Sequence, residues 1–315
     1  MSAVSPEKIE RRTVGGNVWL GRPQSVGSPA SSRAQRLKYE VLESEEAVAQ
    51  AQLEEIERAA SAKEGDLVII LLGGRGAQAL YRRLSEMARG EELDGLLTRL
   101  HVFTQDALAP MRMDNGLSFV RDFERLLGES FFKKIKSFTP MRTDTEDLEG
   151  ELGRYLEKLE SLGGIDIFFL GFGPEAGAAS HLAYIKPGSG AGAGDLAGVI
   201  PISKTILEHH INKFKVGGST VTEEDEAECR AATHILTLGP AAILGAKRVV
   251  QSIVDASTAP AKRESFARVL ATEIAEDPVA RAAQLDQNPG LWLRLHANHR
   301  SLILPDVLET SGGHN

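Results

Sequence analysis

The residues best suited to chemistry stand at the ends of short apolar runs. Gly73-Gly74-Arg75-Gly76 follows the run Asp66–Leu72 and opens a helical pattern. A glycine-rich turn entering a helix points unbonded backbone N–H groups at one spot, and the helix dipole adds positive potential there. Arg75 can add a bidentate contact to a phosphate. The same four residues also suit a tight strand-to-helix turn that holds nothing, because such turns are common. Three more runs end in residues of interest. Leu100–Phe103 leads to Thr104-Gln105-Asp106. Ile165–Leu170 leads to Gly171-Phe172-Gly173-Pro174-Glu175. His234–Leu238 leads to Gly239-Pro240. If these runs are neighbouring parallel strands, two glycine turns and two carboxylates converge on one edge of the sheet, where open sheets bind ligands.

Other side chains carry two readings each. Asp106 suits a pocket, or a helix cap or loop carboxylate. Lys186 suits a substrate carboxylate or phosphate, or the ordinary solvated life of a surface lysine. The pair His209-His210, and His296 with His299, have spacings that could share a metal ion. No Cys or Asp cluster completes a set of three or four ligands, so no metal site is expected.

These residues need a scaffold of alternating strands and helices. Ser44 can cap a helix, with Glu45 and Glu46 in its first turn and Ala49, Leu53, Ile56 and Ala60 at helical spacing. The run Leu67–Leu72 is short and β-branched, as in a strand buried on both faces. Ala77, Leu80, Tyr81, Leu84 and Met87 mark a second amphipathic helix. Strands are expected at 100–103, 165–170, 234–238, 248–254 and 291–295, and helices at 119–127, 145–162 and 261–273. This alternation predicts an α/β fold: a Rossmann-like three-layer αβα arrangement around a mostly parallel sheet. The strands at 66–72, 100–103, 165–170 and 234–238 are expected in that one sheet. Residues 1–35 are rich in Gly, Ser and Pro and read as a flexible N-terminal arm. Residues 36–305 are expected to form the α/β domain, and 306–315 a C-terminal tail.

Charge and composition exclude several partners. The 315 residues carry 36 basic and 44 acidic side chains, a net charge of −8, with no basic stripe for nucleic acid. No apolar run approaches the roughly 18 residues of a membrane span. The single cysteine, Cys229, allows no intramolecular disulfide, and the N-terminus has no signal-peptide core. A cytoplasmic location is therefore expected, with a small anionic molecule as partner. The long N-terminal arm raises homo-oligomeric assembly as a further expectation.

In order along the chain, the motifs resemble those of the glucosamine-6-phosphate deaminases and 6-phosphogluconolactonases. Gly74-Arg75-Gly76-Ala77, continued by Leu80-Tyr81-Arg82, is similar to the family's first glycine turn and helix. Phe103-Thr104-Gln105-Asp106 resembles the end of its second strand. Leu170-Gly171-Phe172-Gly173 and then Ser180-His181-Leu182-Ala183-Tyr184-Ile185-Lys186-Pro187-Gly188 resemble its third strand end and the segment beyond. Leu236-Thr237-Leu238-Gly239 resembles the fourth. The resemblance spans roughly residues 40–300. It implies a pocket for a sugar phosphate and no cofactor. It assigns Asp106 to proton transfer beside the sugar carbonyl and His181 to opening of the ring. Proton transfer of this kind needs a carboxylate in hydrogen-bond reach and an imidazole that shuttles near neutral pH.

Several acidic positions of the family pattern differ here. Ala179 stands where the family has an Asp, after a four-residue insertion, and Glu175 just before it is the candidate substitute. Lys186 and Ala107 stand where the family has glutamates, and Thr233 replaces a cation. Lys204 falls where the family carries an arginine, so it joins Lys186 as a candidate phosphate ligand. The site expected from all this comprises Asp106, His181 and Glu175 for catalysis, with Gly73, Gly74, Arg75, Gly76, Gly171, Gly173, Lys186 and Lys204 for binding. The leading reading is an isomerase or deaminase. A lactone hydrolase and a non-catalytic sugar-phosphate sensor are the alternatives, since fold alone does not choose.

Overall fold

A computed structural model describes residues 8–23, 34–173 and 181–309. Along the chain come β1 (Glu10–Val14), β2 (Asn17–Gly21), β3 (Tyr39–Val41), α1 (Glu45–Ala62), β4 (Leu67–Leu71), α2 (Gln78–Met87), α3 (Asp94–Leu97), β5 (Leu100–Thr104) and β6 (Asp106–Ala109). Then follow α4 (Phe119–Lys134), β7 (Ser137–Thr139), α5 (Leu148–Ser161), β8 (Ile167–Leu170), β9 (Asp195–Pro201), α6 (Lys204–Val216) and α7 (Glu223–Ala231). The last are β10 (His234–Leu238), α8 (Pro240–Gly245), β11 (Arg248–Ile253), α9 (Pro260–Ala271), α10 (Pro278–Gln287) and β12 (His299–Ile303).

Seven strands form one sheet in the order β3-β12-β11-β8-β4-β5-β7. All its pairings are parallel, and helices flank it. The expected α/β class follows from the same residues that suggested it. Every residue of β4 is buried, as befits a strand covered on both faces. Ser44 caps α1, its hydroxyl accepting from the Ala47 N–H at 3.1 Å. Helix α2 buries Leu80, Tyr81 and Leu84, one apolar stripe at helical spacing.

A second sheet departs from expectation. Its order is β1-β2-β9-β10-β6, with antiparallel pairing throughout. The strand at 234–238 belongs here and not with β4, β5 and β8. Ile235, Leu236, Thr237 and Leu238 are all buried, so β10 has the continuous burial of a parallel strand while lying between two antiparallel partners. The segment Leu291–Leu295 is also not a strand. It lies within a 3₁₀ turn, Pro289–Leu295, and β12 forms in the polar stretch that follows.

The N-terminal segment contributes structure where an arm was expected. Gly15 and Gly16 both take positive φ, 54° and 84°, the backbone of a type I′ hairpin turn between β1 and β2. Trp19 on β2 is fully buried and donates its indole N–H to the Ser189 carbonyl at 3.1 Å. The glycines there mark a tight turn, with Val18-Trp19-Leu20 as its apolar arm. Near the C-terminus Val307 is buried, and the Asp306 carboxylate accepts from the Ser257 N–H at 2.8 Å.

Candidate functional site

The carboxyl ends of β4, β8 and β11 open into one cavity, closed from the other side by α4 and α6. Gly73–Gly76 forms its floor after β4. Gly74 has φ 80°, a conformation that disfavours any other residue. A Cβ on Gly73 would stand 2.1 Å from Phe119 Cε1, and one on Gly76 2.8 Å from Ser252 Oγ. The turn is glycine-rich because neighbouring side chains pack directly on its backbone. Arg75–Ala77 makes one 3₁₀ turn before α2, and Tyr81 on α2 donates to the Leu72 carbonyl at 2.6 Å. Arg75 reaches the cavity rim, where its guanidinium is already paired with Glu45 of α1.

Asp106 begins β6 and lines the same cavity. The Gln105 N–H donates to the Leu71 carbonyl at 2.9 Å, which ties this crossing between the two sheets to the end of β4. The Gln105 side chain donates to Asp106 Oδ2 at 2.6 Å. Oδ1 is buried and has no hydrogen-bond partner among the described residues. Burial disfavours the charged carboxylate and, opposed by the Gln105 hydrogen bond, pushes its pKa from 3.8 up to about 7. A group with that pKa can take or give a proton near neutrality.

Gly171 and Gly173 line the cavity after β8. The chain then returns over them, the Gly173 N–H donating to the His181 carbonyl at 2.9 Å and the Ala183 N–H to the Gly171 carbonyl at 3.1 Å. Ala183 holds φ 52°, a left-handed conformation costly for a residue with a Cβ. The Tyr184 N–H donates to Thr237 Oγ1 of β10 at 3.2 Å, so the second sheet fixes this wall. Ala183 and Tyr184 line the cavity and His181 does not. The His181 ring is fully buried, edge-on to Tyr184 at 5.5 Å. Glu175 lies outside the described residues.

The two expected lysines stand elsewhere. The Lys186 ammonium donates to the Pro201 carbonyl, and Lys204 is exposed as the first residue of α6. Neither lines the cavity. Besides Arg75 at the rim, the cations that line it among the described residues are Lys262 on α9, Lys213 on α6 and Arg125 on α4. Lys262 Nζ lies 2.7 and 2.9 Å from the two oxygens of Asp255, which follows β11. Lys213 Nζ reaches Thr258 Oγ1 at 3.2 Å, in the same β11–α9 loop. Arg125 donates to Asp122, whose carboxyl burial drives upward against that guanidinium.

His209 and His210, read from sequence only as a weak metal pair, both line the cavity. His210 donates from Nε2 to the Leu117 carbonyl at 2.6 Å and stacks on Phe214 at 4.0 Å. Burial lowers its pKa to about 4 and keeps the ring neutral. Burial and the nearby Lys213 and Lys262 lower that of His209. His209 and Lys213 are four apart on α6, one helix face, and that spacing was the available signal for this wall. Among the described residues no cluster of His, Cys, Asp or Glu is placed to hold a metal ion, and no helix is long and apolar enough to cross a membrane.

A seven-stranded parallel sheet flanked by helices, with a glycine turn and a buried carboxylate at its carboxyl edge, places the chain among the Rossmann-like α/β proteins. Within that class, residues 43–204 match the family of glucosamine-6-phosphate isomerases and 6-phosphogluconolactonases, and the chain belongs to that family. The glucosamine-6-phosphate deaminase of Clostridium beijerinckii is 25% identical over 238 residues, 75% of this chain and 84% of that protein. The deaminase of Dictyostelium discoideum is 29% identical over 134 residues, 40% of this chain and 46% of that one. Among solved structures, a monomeric glucosamine-6-phosphate deaminase superposes with a TM-score of 0.63 at 22% identity, over 86% of this chain and 98% of that one. The 6-phosphogluconolactonase from Trypanosoma cruzi gives 0.60 at 18%, over 90% and 99%. At these identities the structural likeness establishes the fold.

Proposed function

We propose that the cavity binds a phosphorylated sugar and that Asp106 moves a proton at the carbon beside its carbonyl, as in an aldose–ketose isomerase or a deaminase. The phosphate sits at the N–H groups of Gly74–Gly76, with Lys262 neutralising charge beside them. The observation that carries this reading is Asp106: a carboxylate buried in the cavity, one oxygen without a partner among the described residues, and a pKa of about 7. In the isomerase form, the carboxylate takes the proton from C2 of an open-chain aldose. The C1 oxygen gains a proton as the 2-hydroxyl loses one, and Asp106 returns its proton to C1 to give the ketose.

The histidine expected to open the ring is fully buried behind Gly173 and Tyr184, which line the cavity, so this reading gives His181 a smaller part than Asp106. A cyclic amino-sugar phosphate is then a poor substrate, and open-chain sugar phosphates are good ones. Turnover of aldose and ketose phosphates, glucosamine 6-phosphate and 6-phosphogluconolactone tests this. Isomerisation lost in Asp106→Asn supports the reading. Hydrolysis of the lactone alone would assign Asp106 to water activation. Binding without turnover on every compound would make the protein a sensor.

A further inference from the structure

A second cavity, of about 340 Å³, opens at the opposite, amino-terminal edge of the parallel sheet. It lies between the end of α1, which supplies Glu55, Arg58 and Lys63, and the starts of β8 and β11, marked by Asp166, Lys247 and Arg248. Its size falls in the range of small-ligand pockets. Two carboxylates lie at its base, Glu55 with 2% and Asp166 with 4% side-chain exposure. Glu55 is bound by Arg248 at 2.7 Å, by Arg58 at 2.8 Å and by Arg300 at 2.8 Å. Asp166 is bound by Lys63 at 2.7 Å and Lys247 at 2.8 Å, and also accepts from the Val68 N–H at 2.8 Å.

A buried carboxylate needs one good cation and its hydrogen bonds to be stable. Here the two acids face four cations within the cavity wall, before Arg300 is counted. Two positive charges are therefore in excess. The side chains of Arg58 and Lys247 are 60% and 62% exposed, at the mouth, where they can turn to a ligand without stripping the acids of their inner partners. Lys63 and Arg248 remain behind to hold Asp166 and Glu55. The geometry points to a second anion site here, one that takes the phosphate or diphosphate group of a small metabolite between Arg58 and Lys247. It is independent of the first cavity. Strands β8 and β11 separate the two by roughly 15 Å, at about 3.3 Å per residue, and no described residue lines both.

Calorimetric titration with pyrophosphate tests this on three proteins: the unaltered chain, Arg58→Glu/Lys247→Glu and Gly74→Val. The double variant should lose one binding event, its affinity falling about tenfold or more with the charge-assisted contacts, while Gly74→Val keeps that event. Both altered residues are largely exposed, so the fold should survive. If thermal melting shows otherwise, Arg58→Gln/Lys247→Gln replaces the reversal and should give the same loss. Pyrophosphate binding in the double variant equal to that of the unaltered chain overturns the proposal. So does complete loss in Gly74→Val, which would place all binding in the first cavity. If the first cavity binds no anion, one event is seen, removed by the double variant and untouched by Gly74→Val.

Discussion

Replacing Asp106 by Asn should make the protein more stable and less active, and the gain should depend on pH in a defined way. Burial raises this carboxyl from 3.8 to about 7, so the folded state resists its ionisation. Below pH 4 the acid is protonated in both folded and unfolded chains and contributes no penalty. Between about 4 and 7 the folded chain holds a proton that the unfolded chain has released, so stability falls as pH rises. Above 7 the penalty is complete. At about 1.4 kcal/mol per pH unit it reaches about 4 kcal/mol. Asn has the shape of the neutral acid and can still accept from Gln105. At pH 8 the variant should then gain up to about 4 kcal/mol. Spread over 315 residues with an unfolding entropy of about 2.1 cal/mol/K each, that is a rise in Tm of about 6 °C. The gain should shrink toward zero near pH 4. Proton transfer should meanwhile drop by about 10² to 10⁴. Differential scanning calorimetry of both proteins from pH 4 to 8 reads the difference directly. A pH-independent difference, or a less stable variant at pH 8, would refute the burial argument.

Further outcomes follow from the same geometry. His210, held neutral with a pKa near 4 against an ordinary 6.5, should cost stability as pH falls from 6.5 toward 4, by about 3 kcal/mol. This opposes Asp106 over the same window, so Asp106→Asn should expose a steeper acid sensitivity in urea titrations than the unaltered protein shows. Gly73→Ala places its Cβ 2.1 Å from Phe119, so it should lose about 1–3 kcal/mol in chemical denaturation and weaken sugar-phosphate binding. Lys262→Ala removes the proposed phosphate contact and strands the buried Asp255. It should weaken binding by about tenfold or more in calorimetry, and Lys262→Ala/Asp255→Asn should recover stability without recovering affinity.

Much of the scaffold was legible because burial on both faces leaves an unmistakable run. Strands β4 and β8 follow from Val, Ile, Leu and Phe alone, and β5 and β11 from the apolar residues Leu100, Val102 and Phe103 and Val249, Val250 and Ile253 that outlast the polar ones between them. The strand β12 did not, since His299 and Ser301 are buried polar residues satisfied by hydrogen bonds to His296 and Gln251, which no periodicity registers. Leu291–Leu295 had the apolar content of a strand, but Pro289-Gly290 starts a 3₁₀ turn that buries it instead. For β10 the residues were right and the sheet was not, because burial says nothing about strand direction. At the site, Gly73–Gly76, Asp106, Gly171 and Gly173 were readable, since each ends or follows a strand at the ligand-binding edge. Lys213 and Lys262 were not. Each comes from a helix more than a hundred residues along the chain from Asp106, and only packing brings them to the same cavity. The resemblance pointed to Lys186 and Lys204 in their place.

On the proposed function, Asp106 takes and returns a proton on a bound sugar phosphate. Incubation with fructose 6-phosphate and other ketose and aldose phosphates in heavy water reads that transfer, with deuterium at the carbon beside the carbonyl followed by NMR. A carboxylic acid in a cavity exchanges its proton with solvent, so the unaltered protein should place deuterium at C1 of a ketose or C2 of an aldose. Asp106→Asn should bind the same compound and incorporate none. Incorporation at the same rate in Asp106→Asn, or none in the unaltered protein with any sugar phosphate that it binds, would show that Asp106 does not carry the proton.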